Sequence, residues 1–168
     1  PLFKSLTFSR IFINEFFPIN FHVLLRKEIY MTVIGIIGGS GLDDHDLLKE
    51  AKTETVDTPF GKPSAPLSMG RIDGTDVVLL SRHGNRHQYS PTQVNNRANI
   101  RALKETGVTH ILATTACGSL RRKIGRGHFV IVDQFIDRTF ARDKSFFGPG
   151  CVAHVSLAHP TCERLSDT

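Results

Sequence analysis

The sequence feature that most constrains the fold is a short apolar run that ends abruptly in glycines, VIGIIGGSGL at residues 33–42. A β-branched run bounded by glycine, such as Val33–Ile37, is typical of a strand that is buried on both faces. The three glycines within Gly38–Gly41 let the chain turn sharply and bring backbone N–H groups close to a ligand, and Ser40 adds a hydroxyl. The sequence therefore predicts a buried strand followed by an anion-binding loop, and a turn that binds nothing is an equally open alternative.

Two well-known phosphate-binding motifs do not match this loop. The dinucleotide fingerprint G-x-G-x-x-G requires a third glycine, and the sequence has Asp44 at that position. The Walker motif requires a lysine after its last glycine, and Leu42 follows Gly41 instead. The loop therefore favours a small anion or a substrate over a dinucleotide or a triphosphate, with a dinucleotide-dependent oxidoreductase kept as an alternative of another class.

Composition and charge exclude several classes of protein. The chain has 168 residues with 40% hydrophobic and 22% charged residues, which is ordinary for a globular domain. The net charge is +5, but the basic residues are scattered rather than gathered into one tract, so no nucleic-acid partner is predicted. Cys117, Cys151 and Cys162 are odd in number and have no paired spacing, which favours a reducing compartment such as the cytoplasm.

The first thirty residues differ from the rest of the chain. Six of the twelve phenylalanines lie within the first 21 residues. Glu15, Pro18 and Arg26 interrupt this apolar stretch, so it is too short to span a bilayer and no membrane partner is predicted. We expect residues 1–30 to be a non-native or disordered extension and residues 31–168 to form the globular part.

The remaining chain predicts strands around one long helix. Ser90-Pro91-Thr92-Gln93 is typical of a helix start, with a capping serine, a proline in the first turn and a glutamine three residues on. The predicted elements are a short helix ending in Leu47–Ala51, an edge strand at Lys52–Asp57, a hairpin of Leu67–Arg71 and Val77–Leu80 turned at Asp73-Gly74, a helix from Ser90 to Gly107, and strands at Thr109–Thr115 and Phe129–Val132.

Two of these strands end in polar loops, as the first one does. Arg82 and His83 follow one strand, and Thr115 and Ala116 end another. Open α/β sheets bind ligands at the carboxyl ends of their strands, and the planar guanidinium of arginine matches phosphate oxygens. Together with the glycine loop, these ends predict a site for a tetrahedral anion. A metal site at His83 and His87 is the weaker alternative, because the glycine and asparagine between them oppose a helix.

Five motifs give the sequence a family resemblance that covers Met31 to the C-terminus. They are IGIIGGSGL (Ile34–Leu42), VDTPFGKPS (Val56–Ser64), SRHGNRH (Ser81–His87), ATTACGSLR (Ala113–Arg121) and VDQFIDRT (Val132–Thr139). In these motifs the chain resembles the methylthioadenosine phosphorylases of the purine nucleoside phosphorylase superfamily. The resemblance implies an α/β fold, a phosphorylase/hydrolase-like three-layer sandwich around a mixed β-sheet that is truncated here at the C-terminus. It also implies a homotrimer.

The resemblance also implies roles for individual residues. The phosphate-binding residues that it implies are Ser40, Arg82, His83, Thr115 and Ala116. It implies that Ala116, Cys117 and Gly118 line the nucleoside pocket through their backbone, and that His154 reaches the 5′-methylthio pocket of a neighbouring subunit. A half-buried polar residue in a strand is the alternative for His154.

The implied reaction is phosphorolysis of methylthioadenosine to adenine and 5-methylthioribose 1-phosphate, a step of purine and methionine salvage. Phosphate is a co-substrate, and neither a cofactor nor a metal is expected. The resemblance implies that the acid that protonates the leaving base lies beyond Thr168, so we expect the 168-residue chain to be inactive by itself. Alternatives are a methylthioinosine or inosine/guanosine phosphorylase, and a non-catalytic fragment without phosphate affinity.

Overall fold

A computed structural model describes residues 31–39 and 48–167. The chain divides into two units, Pro1–Met31 and Thr32–Thr168, and every element given below belongs to the second unit. The predicted extension at residues 1–30 lies outside the described residues, as do Ser40 and the start of the predicted short helix.

The described residues form a mixed sheet of five strands. They are β1 (Val33–Gly38), β2 (Lys49–Glu54), β3 (Leu67–Ile72), β4 (Thr75–Ser81) and β5 (His110–Ala113). The order across the sheet is β2-β3-β4-β1-β5. Strand β1 runs parallel to β4 and β5, whereas β3 is antiparallel to β2 and β4. This mixed sheet confirms the predicted α/β class, and the turn at Asp73-Gly74 joins β3 to β4 as predicted.

The central position of β1 brings three strand ends together. In the parallel register Gly38 at the end of β1 pairs with Ser81 at the end of β4. On the other side Ile37 pairs with Ala113, the last residue of β5. Because parallel strands carry their carboxyl ends to one edge, the loops after β1, β4 and β5 all begin at the same edge of the sheet.

Helix α1 (Asn96–Glu105) begins later than the sequence predicts. The N–H of Gln93 donates to the Ser90 carbonyl at 2.9 Å, and the N–H of Ser90 donates to Gln93 Oε1 at 3.0 Å, so the predicted start closes as a separate turn. Asn95 is the actual N-cap, and its side chain accepts from the Ala98 N–H at 3.1 Å. The prediction of a helix start at Ser90 is therefore wrong, because the local capping contacts stabilise a turn and a second cap follows it.

Strand β4 is covered on both faces. Alternate residues of β4 point to opposite sides, and Val78 and Leu80 are each 1% exposed. They share one cluster with Ala102 and Leu103 of α1, and this cluster is the larger core. The smaller cluster on the other face consists of Leu48, Val77 and Leu79, with Ile34, Ile36 and Ile72 packed against it. The apolar run of β4 thus has the two-sided burial that it predicts, whereas Ile111 and Leu112 of β5 are 38% and 45% exposed.

Strand β2 replaces the end of the predicted short helix. Lys49–Glu54 pairs with β3, with a register shift between Lys49 and Lys52 where Glu50 adopts a φ of 55°. A Cβ on Gly70 of β3 would lie 2.7 Å from the Lys49 carbonyl oxygen, so the glycine permits this close pairing. The edge strand therefore begins three residues before its predicted start, because backbone pairing with β3 outweighs the local helical pattern.

The predicted strand at Phe129–Val132 does not form. These four residues have no strand assignment, and their side chains are between 52% and 99% exposed. An apolar run becomes a strand only where a neighbouring backbone pairs with it, and no described segment pairs with this one. Strand β5 is also shorter than predicted, since it ends at Ala113.

The loop between β2 and β3 is fixed to helix α1 by two asparagines. Asn95 Nδ2 donates to the Phe60 carbonyl at 2.7 Å. Asn99 is 1% exposed, and its side chain accepts from the Ser64 N–H at 2.7 Å and donates to Ser64 Oγ at 3.0 Å. Because its amide is satisfied at both ends, Asn99 is buried without the cost of an unpaired polar group.

The described helices are α1 and the four-residue α2 (Glu163–Ser166). Neither of these two helices has the length and the apolar character that a membrane crossing requires.

We expect Gly35→Ala to destabilise the chain by ~1–3 kcal/mol through overpacking of the core. A Cβ at position 35 would lie 2.7 Å from Val108 Cγ1 and 3.4 Å from Leu103 Cδ2. Urea denaturation followed by circular dichroism would measure the change in the free energy of unfolding. Gly125→Ala is the matched control, because nothing lies within 4 Å of a Cβ there. An unchanged midpoint for Gly35→Ala would contradict this account of the contact between β1 and the loop after α1.

Candidate anion-binding site

The three strand ends enclose a cleft of ≈ 350 Å³. Its lining residues are Gly39 after β1, Arg82 and His83 after β4, and Thr114, Thr115 and Ala116 after β5. The structure therefore brings together four of the five residues predicted for phosphate binding. The fifth, Ser40, lies outside the described residues, directly after Gly39.

Arg82 connects all three strand ends. Its backbone N–H donates to the Gly38 carbonyl at 3.0 Å and so extends the pairing of β4 with β1. Its Nη1 donates to the Thr114 carbonyl, 2.9 Å away, at the end of β5. The guanidinium is thus fixed across the floor of the cleft. Within residues 31–39 and 48–167 no carboxylate pairs with Arg82, so its positive charge is available to an anion.

Gly39 leaves room for this guanidinium. A Cβ at position 39 would lie 2.8 Å from Arg82 Nη2 and 3.9 Å from the Thr114 carbonyl oxygen. Any other residue would therefore displace the end of the Arg82 side chain. The close approach gives the second glycine of the loop a steric role, in addition to the sharp turn and the accessible N–H groups that the sequence predicts.

His83 is oriented by one backbone carbonyl. Its Nδ1 lies 2.9 Å from the Tyr89 carbonyl oxygen, and this oxygen can only accept, so Nδ1 carries the proton. Nε2 is then the unprotonated nitrogen of the neutral ring, and it accepts from Arg82 Nε at 3.5 Å. The ring stacks on His87 with 5.9 Å between centroids. Among the described residues no group of three or more potential ligands could hold a metal ion.

The loop after β5 supplies the third side of the cleft. The Thr114 N–H donates to the Ile37 carbonyl at 3.0 Å and continues the pairing of β5 with β1. Thr115 and Ala116 then line the cleft, whereas Cys117 and Gly118 follow them as exposed residues outside its lining.

His154 lies apart from the cleft lining, in an irregular and exposed segment. The alternative of a half-buried polar residue in a strand is therefore wrong, because this segment pairs with no described strand. Its predicted contact with a neighbouring subunit stays a prediction.

A second cavity of ≈ 560 Å³ lies beside the start of α1, between residues 92–97 and 140–143. Arg97 crosses it, with Nη2 2.6 Å from Asp143 Oδ2 and the guanidinium 5.3 Å above the Phe60 ring. Its charge is thus already paired, in contrast to that of Arg82. None of the predicted site residues that the structure describes lines this cavity.

The motif Val132–Thr139 organises the exposed segment rather than the cleft. Gln134 Nε2 donates to the carbonyls of Leu157 and Ala158 at 3.2 and 3.3 Å. The backbone N–H and the hydroxyl of Thr139 both donate to Asp137 Oδ1 at 2.8 Å, and these bonds lower the pKa of the Asp137 carboxyl.

The cleft can bind a small anion. Among the described residues that line it, Arg82 is the only charged side chain apart from the ionisable His83, and none is acidic. Thr115 also lines the cleft, and a threonine hydroxyl can donate to an anion oxygen. One fixed guanidinium, a hydroxyl and a glycine backbone fit the oxygens of a tetrahedral group such as phosphate.

Comparison with known proteins finds one family that this chain resembles. The model of the phosphorylase superfamily matches residues 33–168. The S-methyl-5'-thioadenosine phosphorylase of Cereibacter sphaeroides is 59% identical over 135 residues, which are 80% of this chain and 47% of that protein. The protein of the same name from Xenopus tropicalis is 58% identical over 140 residues, with 80% of this chain and 50% of that protein covered.

Solved structures give the same result. The methylthioadenosine phosphorylase of Schistosoma mansoni in complex with tubercidin is 47% identical with a TM-score of 0.75, and the match covers 79% of this chain and 50% of that chain. The structure of the same enzyme with adenine has a TM-score of 0.74. The chain spans about half the length of the curated relatives it matches.

We expect Gly39→Ala to weaken phosphate binding with little change in stability. The new Cβ would meet only the far end of a flexible side chain, which can turn away at small cost but then leaves the floor of the cleft. Loss of one charge-assisted hydrogen bond should lower the affinity about tenfold or more. A phosphate titration monitored by NMR would measure the affinity, and urea denaturation would measure the stability. Equal phosphate affinity in Gly39→Ala and in the control Gly125→Ala would contradict the assigned packing of Gly39 on Arg82.

Proposed function

The chain belongs to the phosphorylase superfamily, and we propose from this membership that its cleft binds inorganic phosphate for the phosphorolysis of methylthioadenosine. The observation that carries the proposal is the guanidinium of Arg82, which is fixed across three strand ends and faces no carboxylate in the described residues. Ser40, His83, Thr115 and Ala116 are the further phosphate-binding residues of this proposal.

In the proposed reaction an oxygen of phosphate attacks the anomeric carbon of the ribose while the bond from that carbon to the purine nitrogen breaks. The products are adenine and 5-methylthioribose 1-phosphate. The sugar acquires positive charge as the bond breaks, and the phosphate dianion held beside it stabilises that charge. Arg82 orients the dianion in this proposal, since the planar guanidinium can donate two charge-assisted hydrogen bonds to phosphate oxygens.

The departing purine must gain a proton to leave as a neutral base. None of the six described residues that line the cleft is an acid suited to this task. We propose that the proton donor lies beyond Thr168, in the part of the relatives that this chain does not match, and that the 168-residue chain binds phosphate without turnover.

We propose that the nucleoside binds along the loop after β5. Ala116 lines the cleft, and the backbone of Cys117 and Gly118 continues from it towards the proposed purine. His154 is proposed to contact the 5′-methylthio group of a substrate in a neighbouring subunit of a homotrimer, and its exposure leaves it accessible for such a contact.

The choice of methylthioadenosine rests on the relatives. Those reported above carry the name S-methyl-5'-thioadenosine phosphorylase, and the Schistosoma mansoni enzyme has been solved with adenine and with tubercidin. A methylthioinosine or inosine/guanosine phosphorylase is the alternative within the superfamily. The family match argues against the dinucleotide-dependent oxidoreductase.

We further propose that the protein acts in the cytoplasm and takes part in purine and methionine salvage. Cys117, Cys151 and Cys162 are all free and exposed, which suits a reducing compartment. Phosphate acts as co-substrate in this proposal, and no resident cofactor or metal takes part.

The phosphate site is tested first with Arg82→Met in the 168-residue chain. We expect the phosphate affinity to fall by about one to two powers of ten, which is the worth of a charge-assisted hydrogen bond. Isothermal titration calorimetry would measure it. Arg126→Met is the matched control, because Arg126 is exposed and is not among the lining residues of the cleft. Its substitution removes the same charge. Equal affinity in both variants would show that Arg82 does not bind phosphate.

The reaction is tested with a chimera in which the C-terminal half of the Cereibacter sphaeroides relative follows Thr168. We expect phosphate-dependent release of adenine from methylthioadenosine by the chimera, loss of most of this rate on Arg82→Met, and no release by the 168-residue chain. High-performance liquid chromatography of the base would measure the rate. A chimera that cleaves inosine faster than methylthioadenosine would favour the alternative substrate, and turnover by the 168-residue chain would contradict the proposed place of the proton donor.

A further inference from the structure

The loop that carries His83 is closed by hydrogen bonds between its two ends. The Tyr89 N–H donates to the His83 carbonyl at 3.1 Å, and His83 Nδ1–H donates to the Tyr89 carbonyl at 2.9 Å. Inside this loop the His87 N–H donates to the Gly84 carbonyl at 3.0 Å. The orientation of the His83 ring therefore depends on where the turn after Gly84 places the Tyr89 carbonyl.

The side chain of Gln88 fixes this turn. Its Oε1 accepts from the Arg86 N–H at 3.0 Å. Its amide group lies over Gly84, where a Cβ would come within 2.5 Å of Cδ and Nε2. Gly84 is buried and has a φ of 79°, so the glycine supplies both the left-handed turn and the space for the amide. Gln88 does not line the cleft itself.

We infer that Gln88 is a positioning residue that sets the tautomer of His83. By holding the turn, it keeps the Tyr89 carbonyl on Nδ1, so that the proton stays on Nδ1 and the lone pair of Nε2 faces Arg82 Nε. With the opposite tautomer two N–H donors would face each other, and the guanidinium would have to turn away. The consequence for ligand binding rests on the proposed function, since His83 and Arg82 are proposed there to bind phosphate.

The tautomer can be observed directly in the 168-residue chain. Long-range ¹H–¹⁵N correlation spectra distinguish Nδ1–H from Nε2–H in a neutral imidazole, so they are recorded at about pH 8.5, where a histidine ring is neutral. The variants are Gln88→Met, which keeps the length and removes the acceptor, and Gln88→Glu, which keeps an acceptor. Gln93→Met is the matched control, because Gln93 Oε1 makes the same kind of bond to the Ser90 N–H in the next turn.

We expect the Nδ1–H tautomer of His83 in the wild-type chain, in Gln88→Glu and in the control. In Gln88→Met we expect a mixture of both tautomers and an affinity for inorganic phosphate that is about three- to tenfold lower. A purely structural role would shift the urea midpoint without changing the tautomer.

An unchanged tautomer in Gln88→Met, or Nε2–H in the wild-type chain, would overturn the inference. An unfolded Gln88→Met would also overturn it, because the side chain would then be needed for folding rather than for the orientation of His83. A tautomer that changes in a chain without phosphate affinity would support the positioning role of Gln88 and contradict the proposed function instead.

Discussion

The parallel pairing of β1 with β4 on one side and β5 on the other is the constraint on which the site depends. It places the ends of three strands at one edge of the sheet, although Gly38 and its partner Ser81 are 43 residues apart along the chain and Ile37 and its partner Ala113 are 76 apart. Crossover connections make this separation possible. The apolar residues of β1 and β4 pack in two clusters, one on each face of the sheet, and the larger cluster includes residues of α1. Burial of the strands thus creates the cleft as a geometric consequence, and the polar loops only have to supply its chemistry.

Arg82 converts this arrangement into a charged site. A guanidinium that donated only to water would be mobile, whereas the bond to the Thr114 carbonyl restricts Arg82 and leaves its remaining donors towards the cleft. The contrast with Arg97 is informative, because that arginine is neutralised by Asp143 beside a larger cavity. Two arginines on one small domain therefore differ in their surroundings, since Arg97 has a carboxylate partner and Arg82 has none in the part of the chain that the structure describes.

Much of this arrangement could be predicted from the residues. The apolar runs with glycine at their ends identified β1, β4 and β5 and the residues of the cleft, because buried strands and ligand loops have strong compositional signals. The predictions of a helix start at Ser90 and of a strand at Phe129–Val132 were wrong. The first depends on a competition between two caps and the second on a pairing partner, and the local sequence specifies neither. The roles of the Tyr89 and Thr114 carbonyls could not be predicted either, because every residue has a carbonyl and only the folded structure shows which two accept from His83 and Arg82.

The buried amide of Asn99 has a consequence for how the molecule moves. It binds Ser64 through both the backbone N–H and the hydroxyl, so the last part of the loop between β2 and β3 is anchored to the middle of α1. Ser64 is 6% exposed, and opening its N–H to water requires this part of the loop to separate from α1. Amide hydrogen exchange at Ser64 therefore reports the separation of the loop from the helix, although Ser64 itself belongs to no strand or helix.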